Sequence, residues 1–164
     1  MLEDLQKRKN IHLKHFDYKG SDYTYFITIC TNNKQNYFLN PEIASIVKDE
    51  LLFRNEARKE INLYCYCLMP DHLHLLLSLN ESYNKSLKNW ICAFKRYTAR
   101  IEHLMYFIKP PFWQRDFYEH IIRKHESLIQ KATYIVNNPV RKGLVENWED
   151  YPYCGFVDVL PFNG

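Results

Sequence analysis

Two long apolar segments separated by a two-residue turn constrain this chain more than any other feature of its sequence. Residues 61–69 (INLYCYCLM) and 72–79 (HLHLLLSL) are rich in aliphatic, aromatic and β-branched side chains, which is typical of strands. The Pro-Asp pair between them favours a turn, so the two segments are predicted to form a β-hairpin. Because side chains alternate along a strand, the leucines would face one side of the sheet, and His72 and His74 the other.

Five further segments place this hairpin in a larger sheet. We predict strands at residues 22–31 and 117–123, and helices at residues 41–58, 85–103 and 126–137. The first six elements run strand, helix, strand, strand, helix, strand. This is the βαββαβ pattern of a ferredoxin-like antiparallel sheet with two helices on one face. The predicted fold class is therefore α+β, with an additional C-terminal helix.

The length of 164 residues fits one domain, which we place at residues 1–143, including a basic N-terminal segment at residues 1–20. Residues 144–164 are expected to form an acidic, aromatic and irregular tail packed on or near the domain. No apolar run is long enough to span a bilayer, and no secretory signal is evident, so we expect a soluble cytoplasmic protein without a membrane partner. Five cysteines without a CxxC pair predict reduced core thiols.

Positive charge and aromatic residues are concentrated in ways that suit a polyanion. Residues 7–19, 85–100 and 123–142 each hold five Lys or Arg, whereas residues 144–164 hold four acidic residues and no Lys or Arg. Aromatic residues make up 16% of the chain. A surface that stacks bases and follows phosphates would use both. A tyrosine-rich core with solvated charged helix faces explains the same composition, so both interpretations stay open at this point.

The two histidines of the second hairpin strand are candidate metal ligands. Their i, i+2 spacing brings both imidazoles of His72 and His74 to the same face, where neutral imidazole can bind a divalent ion. The alternative is a pair of half-exposed histidines at the start of a strand.

The last predicted helix adds a phenol and a carboxamide. Tyr134 and Asn138 are four residues apart, hence on one face if the helix persists, although Pro139 disfavours helical geometry at Asn138. If this helix covers the open face of the sheet, a metal could be held by the two histidines and the Asn138 oxygen, with Tyr134 beside it. Such an ion would act as a Lewis acid on a phosphate that the phenol attacks. A tyrosine on a helix is otherwise a core or interface residue.

Four ordered segments resemble a known family. MPDHLHLLL (69–77), WQRDFYEHIIR (113–123) and YIVNNPVRKGLV (134–145), preceded by HLKHFDYKGSDYTYFITICT (12–31), are similar to the single-tyrosine histidine-hydrophobic-histidine (HUH) transposases. Within these, the chain is most similar to the REP-associated tyrosine transposases. The resemblance spans nearly the whole chain in the expected order.

The resemblance implies a ferredoxin-like nuclease that cuts single-stranded DNA with Mg²⁺ or Mn²⁺ and without a nucleotide cofactor. It implies Tyr134 as the nucleophile that becomes linked to the 5′ phosphate, and His72, His74 and Asn138 as the metal site. The expected substrates are imperfect palindromes that fold as hairpins, with a short single-stranded guide, on the nucleoid. A monomer is favoured and a homodimer is possible, because relatives outside the subgroup exchange their tyrosine helices.

Other residues are candidates for contacts with DNA. The basic residues expected to hold phosphates are Lys88, Lys95, Arg96, Arg100, Arg115, Arg123, Arg141 and Lys142. Trp113, Phe117 and Tyr118 are candidates for base stacking, with burial as the alternative, and His120 is either a partner of the metal site or a structural histidine. Two other functions stay open on the residues alone: a non-catalytic nucleic-acid-binding module and a metal-dependent nuclease that uses water.

Overall fold

A five-stranded antiparallel sheet with helices on both faces forms the body of the chain. The computed structural model describes residues 23–161. Its elements are β1 (Tyr25–Cys30), α1 (Pro41–Glu56), β2 (Ile61–Met69), β3 (His72–Leu79), α2 (Leu87–Tyr106), β4 (Tyr118–Ile121), α3 (Leu128–Val136), α4 (Asn138–Arg141) and β5 (Cys154–Phe156). The strands lie in the order β4-β1-β3-β2-β5. The predicted α+β fold class is confirmed, and β2 and β3 have the predicted bounds.

The long helices begin where the sequence supplies a capping side chain. Asn40, Ser86 and Ser127 each accept a hydrogen bond from a backbone N–H two or three residues further on. These caps place the starts of α2 and α3 two residues later than predicted. The basic segment at residues 1–20 and the first residue of the predicted first strand, Asp22, lie outside the described residues.

Two apolar clusters lie on opposite faces of the sheet. On one face, α1 and α2 cover Ile27, Ile29 and the odd-numbered leucines of β3. On the other face, α3 covers Cys65, Cys67 and Leu76. Side chains that alternate along the strands therefore point to opposite faces of the sheet, as expected. His72 and His74 lie on the face that α3 covers.

The C-terminal segment, expected to be an irregular tail packed on or near the domain, adds one short strand to the sheet. Residues 154–156 add β5 to the exposed edge of β2, after a short 3₁₀ turn at Trp148–Asp150. The Tyr151 hydroxyl donates a hydrogen bond of 2.7 Å to the Leu68 carbonyl, which ties this segment to the sheet. A three-residue strand that contains a glycine is too short to show a periodic pattern in the sequence. It forms because its backbone pairs with the edge of β2.

The five cysteines divide between core and surface. Cys65 and Cys67 are buried as predicted, and all five thiols are free. Cys92 is exposed on α2, so the prediction that it belongs to the core is wrong. No helix within residues 23–161 is both long enough and apolar enough to cross a membrane.

Candidate metal centre and active site

The imidazoles of His72 and His74 converge at the start of β3. Their Nε2 atoms are 3.1 Å apart, and the two rings meet edge to face. Phe26 on β1 stacks against the His74 ring with a centroid distance of 5.5 Å. The strand backbone and this aromatic contact fix the direction in which the rings point.

Each histidine has a hydrogen-bond partner on its other ring nitrogen. His72 Nδ1 lies 2.6 Å from the Asp71 carboxylate, and His74 Nδ1 lies 2.8 Å from the Thr28 hydroxyl. A carboxylate on Nδ1 holds the proton there and leaves Nε2 with a free lone pair. Sequence reasoning missed both partners. Asp71 could have been found from its place directly before His72, whereas Thr28 needed the pairing of β1 with β3.

The electrostatics of the pair favour a neutral His74. Burial, followed by the electrostatic effects of His72 and Arg141, lowers the pKa of His74 well below its usual range. The hydrogen bond to His72 lowers the pKa of Asp71, so this carboxyl is ionised at neutral pH. Neutral imidazole is the form that binds metal ions.

Asn138 reaches the histidines although the helix breaks before it. α3 ends at Val136, and Asn138 is the first residue of α4, with Pro139 following it. The side chain is buried, and Asn138 Nδ2 lies 3.4 Å from His72 Nε2. The expected proline break is therefore present, and the carboxamide still faces the pair. A half-turn of the amide presents Oδ1 in place of Nδ2.

The donor set fits a divalent cation. Two ligand atoms ~2.1 Å from one ion are ~3.0 Å apart at a right angle, close to the separation of the two Nε2 atoms. Imidazole and carboxamide oxygen are ligand types used for first-row divalent ions. His72, His74 and Asn138 are the candidate ligands, because their side-chain donor atoms converge. Among the described residues, no group of three or more His, Cys, Asp or Glu side chains is placed to hold a metal.

Tyr134 lies near this cluster without touching the histidines. Its side chain on α3 is 46% exposed, and the Arg141 guanidinium lies 3.8 Å from the centre of its ring. Within the described part of the chain, no hydrogen bond or ring contact joins Tyr134 to either histidine. The Arg141 charge also acts on His74, so this guanidinium interacts electrostatically with both groups. A substrate phosphate would have to bridge the phenol and the histidines.

The predicted DNA-binding residues fall into two groups. Arg123, Arg141 and Lys142 are exposed near the ends of β4 and α4. The second group belongs to α2 and its neighbouring loop, on the helical layer that covers the other face of the sheet, and consists of Lys88, Lys95, Arg96, Arg100 and Arg115. The ammonium group of Lys95 is already engaged, since it donates to the carbonyls of Gln114 and Arg115.

Most of the remaining candidates have structural roles. Trp113 is buried, and its indole N–H donates a 2.9 Å hydrogen bond to the Thr98 hydroxyl. Phe117 and Tyr118 are half-buried. His120 lies 2.9 Å from both carboxylate oxygens of Glu126, which matches the structural alternative for this residue.

Comparison with known proteins assigns the family. The sequence model of the family described as "Transposase IS200 like" matches residues 19–138, which include both histidines, Tyr134 and Asn138. The chain belongs to the IS200-like transposase family. Its membership favours an enzyme over a non-catalytic binding module.

Relatives and a solved structure agree with this transposase family. A REP-associated tyrosine transposase of Escherichia coli is 24% identical over 135 residues, covering 81% of this chain and 76% of that protein. A Haemophilus influenzae protein provisionally given the same name is 28% identical over 145 residues, covering 80% of this chain and 78% of its own length. A REP-associated tyrosine transposase solved with a REP hairpin has a TM-score of 0.65 at 20% identity, covering 86% and 81% of the two chains, and confirms the fold.

Proposed function

We propose that this IS200-like transposase cuts and rejoins single-stranded DNA beside hairpins, through a covalent bond between Tyr134 and the 5′ phosphate. The observation that carries the proposal is the convergence of the His72 and His74 Nε2 atoms, 3.1 Å apart, with their outer nitrogens held by Asp71 and Thr28. Such a pair is built to bind an ion beside a nucleophile, which DNA binding alone does not require.

The bond changes of the proposed step are simple. The Tyr134 oxygen attacks the scissile phosphorus, and its proton passes to water. The bond between phosphorus and the 3′ oxygen breaks, and this oxygen takes up a proton and leaves as a free 3′ hydroxyl. Reversal of the same step by a 3′ hydroxyl rejoins strands and frees the tyrosine. No nucleotide cofactor enters this balance.

The residues of the chain would prepare this reaction. His72, His74 and Asn138 would hold Mg²⁺ or Mn²⁺, which supplies Lewis-acid stabilisation of phosphate charge when bound. Arg141, exposed and placed over the ring of the nucleophile, would hold the phosphate near the phenol. The exposed position of Tyr134 gives the phosphate access to its hydroxyl.

Hairpin DNA is the substrate class we propose, because the related transposase of similar fold was solved with a REP hairpin. Such a substrate would bring the chain to the nucleoid in the cytoplasm. A monomer is the proposed working form, in which α3 packs on the sheet of its own chain through Leu128, Ala132 and Ile135. An exchange of this helix between two copies would give the homodimeric alternative.

A covalent-adduct assay tests the proposal. We expect a hairpin oligonucleotide with single-stranded flanks, labelled at its 3′ end, to give with Mg²⁺ or Mn²⁺ a labelled protein band that survives SDS. Chelation with EDTA should abolish the band, and added Mn²⁺ should restore it. Tyr134→Phe should form no adduct while binding the hairpin with unchanged affinity.

Tyr97→Phe is the matched control, since Tyr97 is 45% exposed on α2 and lies on the opposite face of the sheet from the histidines. This variant should form the adduct at the wild-type rate. Cleavage that persists in Tyr134→Phe would remove the phenol from the reaction and leave a metal-dependent hydrolytic nuclease. An adduct that forms equally well in EDTA would contradict the metal site.

A further inference from the structure

A groove runs between α2 and the segment at residues 108–115, on the helical layer opposite the metal site. Its volume is about 350 Å³, which is in the range of small-ligand sites. Of the twelve described residues that line it, four are Lys or Arg, one is His103, and none is acidic. The exposed rim carries Arg96, Arg100 and Arg115, and the partly buried interior includes Ala99 and Ile108. We call it the α2 groove.

The walls of the α2 groove are held together by hydrogen bonds. Lys95 Nζ donates to the carbonyls of Gln114 and Arg115 at 2.6 and 3.0 Å. The Trp113 indole donates to Thr98 on the facing helix at 2.9 Å. A groove fixed in this way loses little conformational entropy when a ligand enters.

The three arginines of the rim lack the partners that surface arginines often have. Within residues 23–161, no carboxylate lies within ion-pair distance of the guanidinium groups of Arg96, Arg100 or Arg115. Planar guanidinium groups bind phosphate oxygens with two parallel hydrogen bonds. A basic rim over an apolar interior matches a nucleotide, with phosphates outside and the base inside.

The α2 groove reaches the end of the sheet where the histidines lie. Gln114 N–H donates a 2.8 Å hydrogen bond to the Cys30 carbonyl, and Cys30 pairs with His72 across β1 and β3. Adjacent strands are ~4.8 Å apart, so this wall and the His72 backbone are separated by ~10 Å. A DNA strand could pass around the sheet end from one site to the other within a few nucleotides.

From these features we infer that the α2 groove is a second DNA site, which holds an unpaired nucleotide of the strand whose scissile phosphate lies at Tyr134. This inference rests on the proposed function, because it assigns part of the same substrate to a different surface. The groove binds a single strand and not the hairpin stem, because in duplex DNA the bases are stacked and paired and cannot enter an apolar interior.

The salt dependence of binding tests the phosphate part of the inference. The probes are a labelled 12-nucleotide strand of thymidylates and a blunt hairpin without flanks, measured by fluorescence anisotropy across a range of salt. Arg100→Ala should weaken binding of the single strand about fivefold and reduce its salt slope by about 0.7, the value for one lost phosphate contact. Its affinity for the blunt hairpin should not change.

Arg58→Ala is the matched control, because it removes the same side chain from the surface at the far end of α1, where Arg58 pairs with Glu60. It should leave both salt slopes unchanged. An Arg100→Ala slope equal to that of wild type, or an equal loss on the blunt hairpin, would overturn the inference.

A second measurement tests the base part of the inference. A 12-nucleotide abasic strand should bind wild type more weakly than the thymidylate strand, because it cannot fill the apolar interior. Ala99→Leu, which fills the α2 groove without changing charge, should bring the two affinities together. If the difference between the two strands persists in a folded Ala99→Leu protein, the base lies elsewhere.

The two proposals fail in different ways. If wild type forms no adduct with any hairpin, the proposed function fails. If wild type forms the adduct while Arg100→Ala and Ala99→Leu bind the single strand as wild type does, only the α2 groove inference fails.

Discussion

The guanidinium carbon of Arg141 lies over the Tyr134 ring, 3.8 Å from its centre. A cation over an aromatic face at the surface contributes ~0.5–1 kcal/mol, enough to bias the orientation of the ring. The same charge acts on His74. Arg141 therefore links the candidate nucleophile to the candidate metal ligands.

Removal of Arg141 should slow the reaction of bound DNA. We expect Arg141→Ala to reduce the single-turnover rate of adduct formation at saturating hairpin about tenfold, because both ring orientation and phosphate binding are lost. Arg141→Lys keeps the charge without the planar fork, so it should recover only part of the rate. A wild-type rate at saturation, with only weaker DNA binding, would limit Arg141 to substrate affinity.

The Thr28 hydroxyl should matter for metal binding through His74. Thr28→Val preserves the shape of the side chain and removes the 2.8 Å hydrogen bond to His74 Nδ1. Loss of such an outer partner typically costs 10–100-fold in metal affinity, which isothermal titration with Mn²⁺ would measure. Thr28→Ser keeps the hydroxyl and should bind Mn²⁺ nearly as well as wild type. If serine fails as badly as valine, packing and not the hydrogen bond explains the loss.

Reactivity of the cysteines should follow their burial. Burial, with a contribution from Cys154, raises the pKa of Cys65 to about 12, and a hydrogen bond with Cys154, then burial, raises that of Cys67 well above its usual range. Thiolates are the reactive form, so iodoacetamide at pH 8 should label the exposed Cys92 first and leave Cys65 and Cys67 unmodified until the protein unfolds. Peptide mass spectrometry with time would give the order. Early labelling of Cys67 would contradict the packing of β5 against β2.

The hairpin of β2 and β3 could be predicted to the residue, because strand alternation and a Pro-Asp turn act locally. The shared face of His72 and His74 follows from that alternation, whereas the direction of their rings also depends on Phe26. Asn138 is different, since α3 ends before it and only the packing of α4 turns its carboxamide toward His72. Its contact depends on tertiary structure that spacing of four residues does not encode.

The other misses have the same origin in long-range contacts. β5 exists because the edge of β2 was available to pair with it. Along α2, the spacing of the apolar residues Leu87, Ile91 and Phe94 continues at Ile101, yet Glu102 is fully buried and Ile101 is half-buried. A charged residue in the stripe cannot be expected from apolar periodicity.

Glu102 should make the stability of the chain fall as pH rises. Both carboxylate oxygens are buried without a hydrogen-bond partner among the described residues, and burial raises the pKa to about 8. The folded state thus holds this proton more tightly than the unfolded chain does. The resulting stability is complete below the unfolded pKa of ~4.3 and is lost as pH rises toward about 8.

Glu102→Gln cannot ionise and should escape this loss. In urea unfolding, its free energy should match wild type at pH 4 and exceed it by about 2 kcal/mol at pH 8.5, less than full linkage because local relaxation lets water reach the ionised carboxylate. Glu56→Gln, at an exposed position of α1, should follow the wild-type profile. Parallel profiles for wild type and Glu102→Gln would mean that the buried carboxyl ionises as easily as in the unfolded chain.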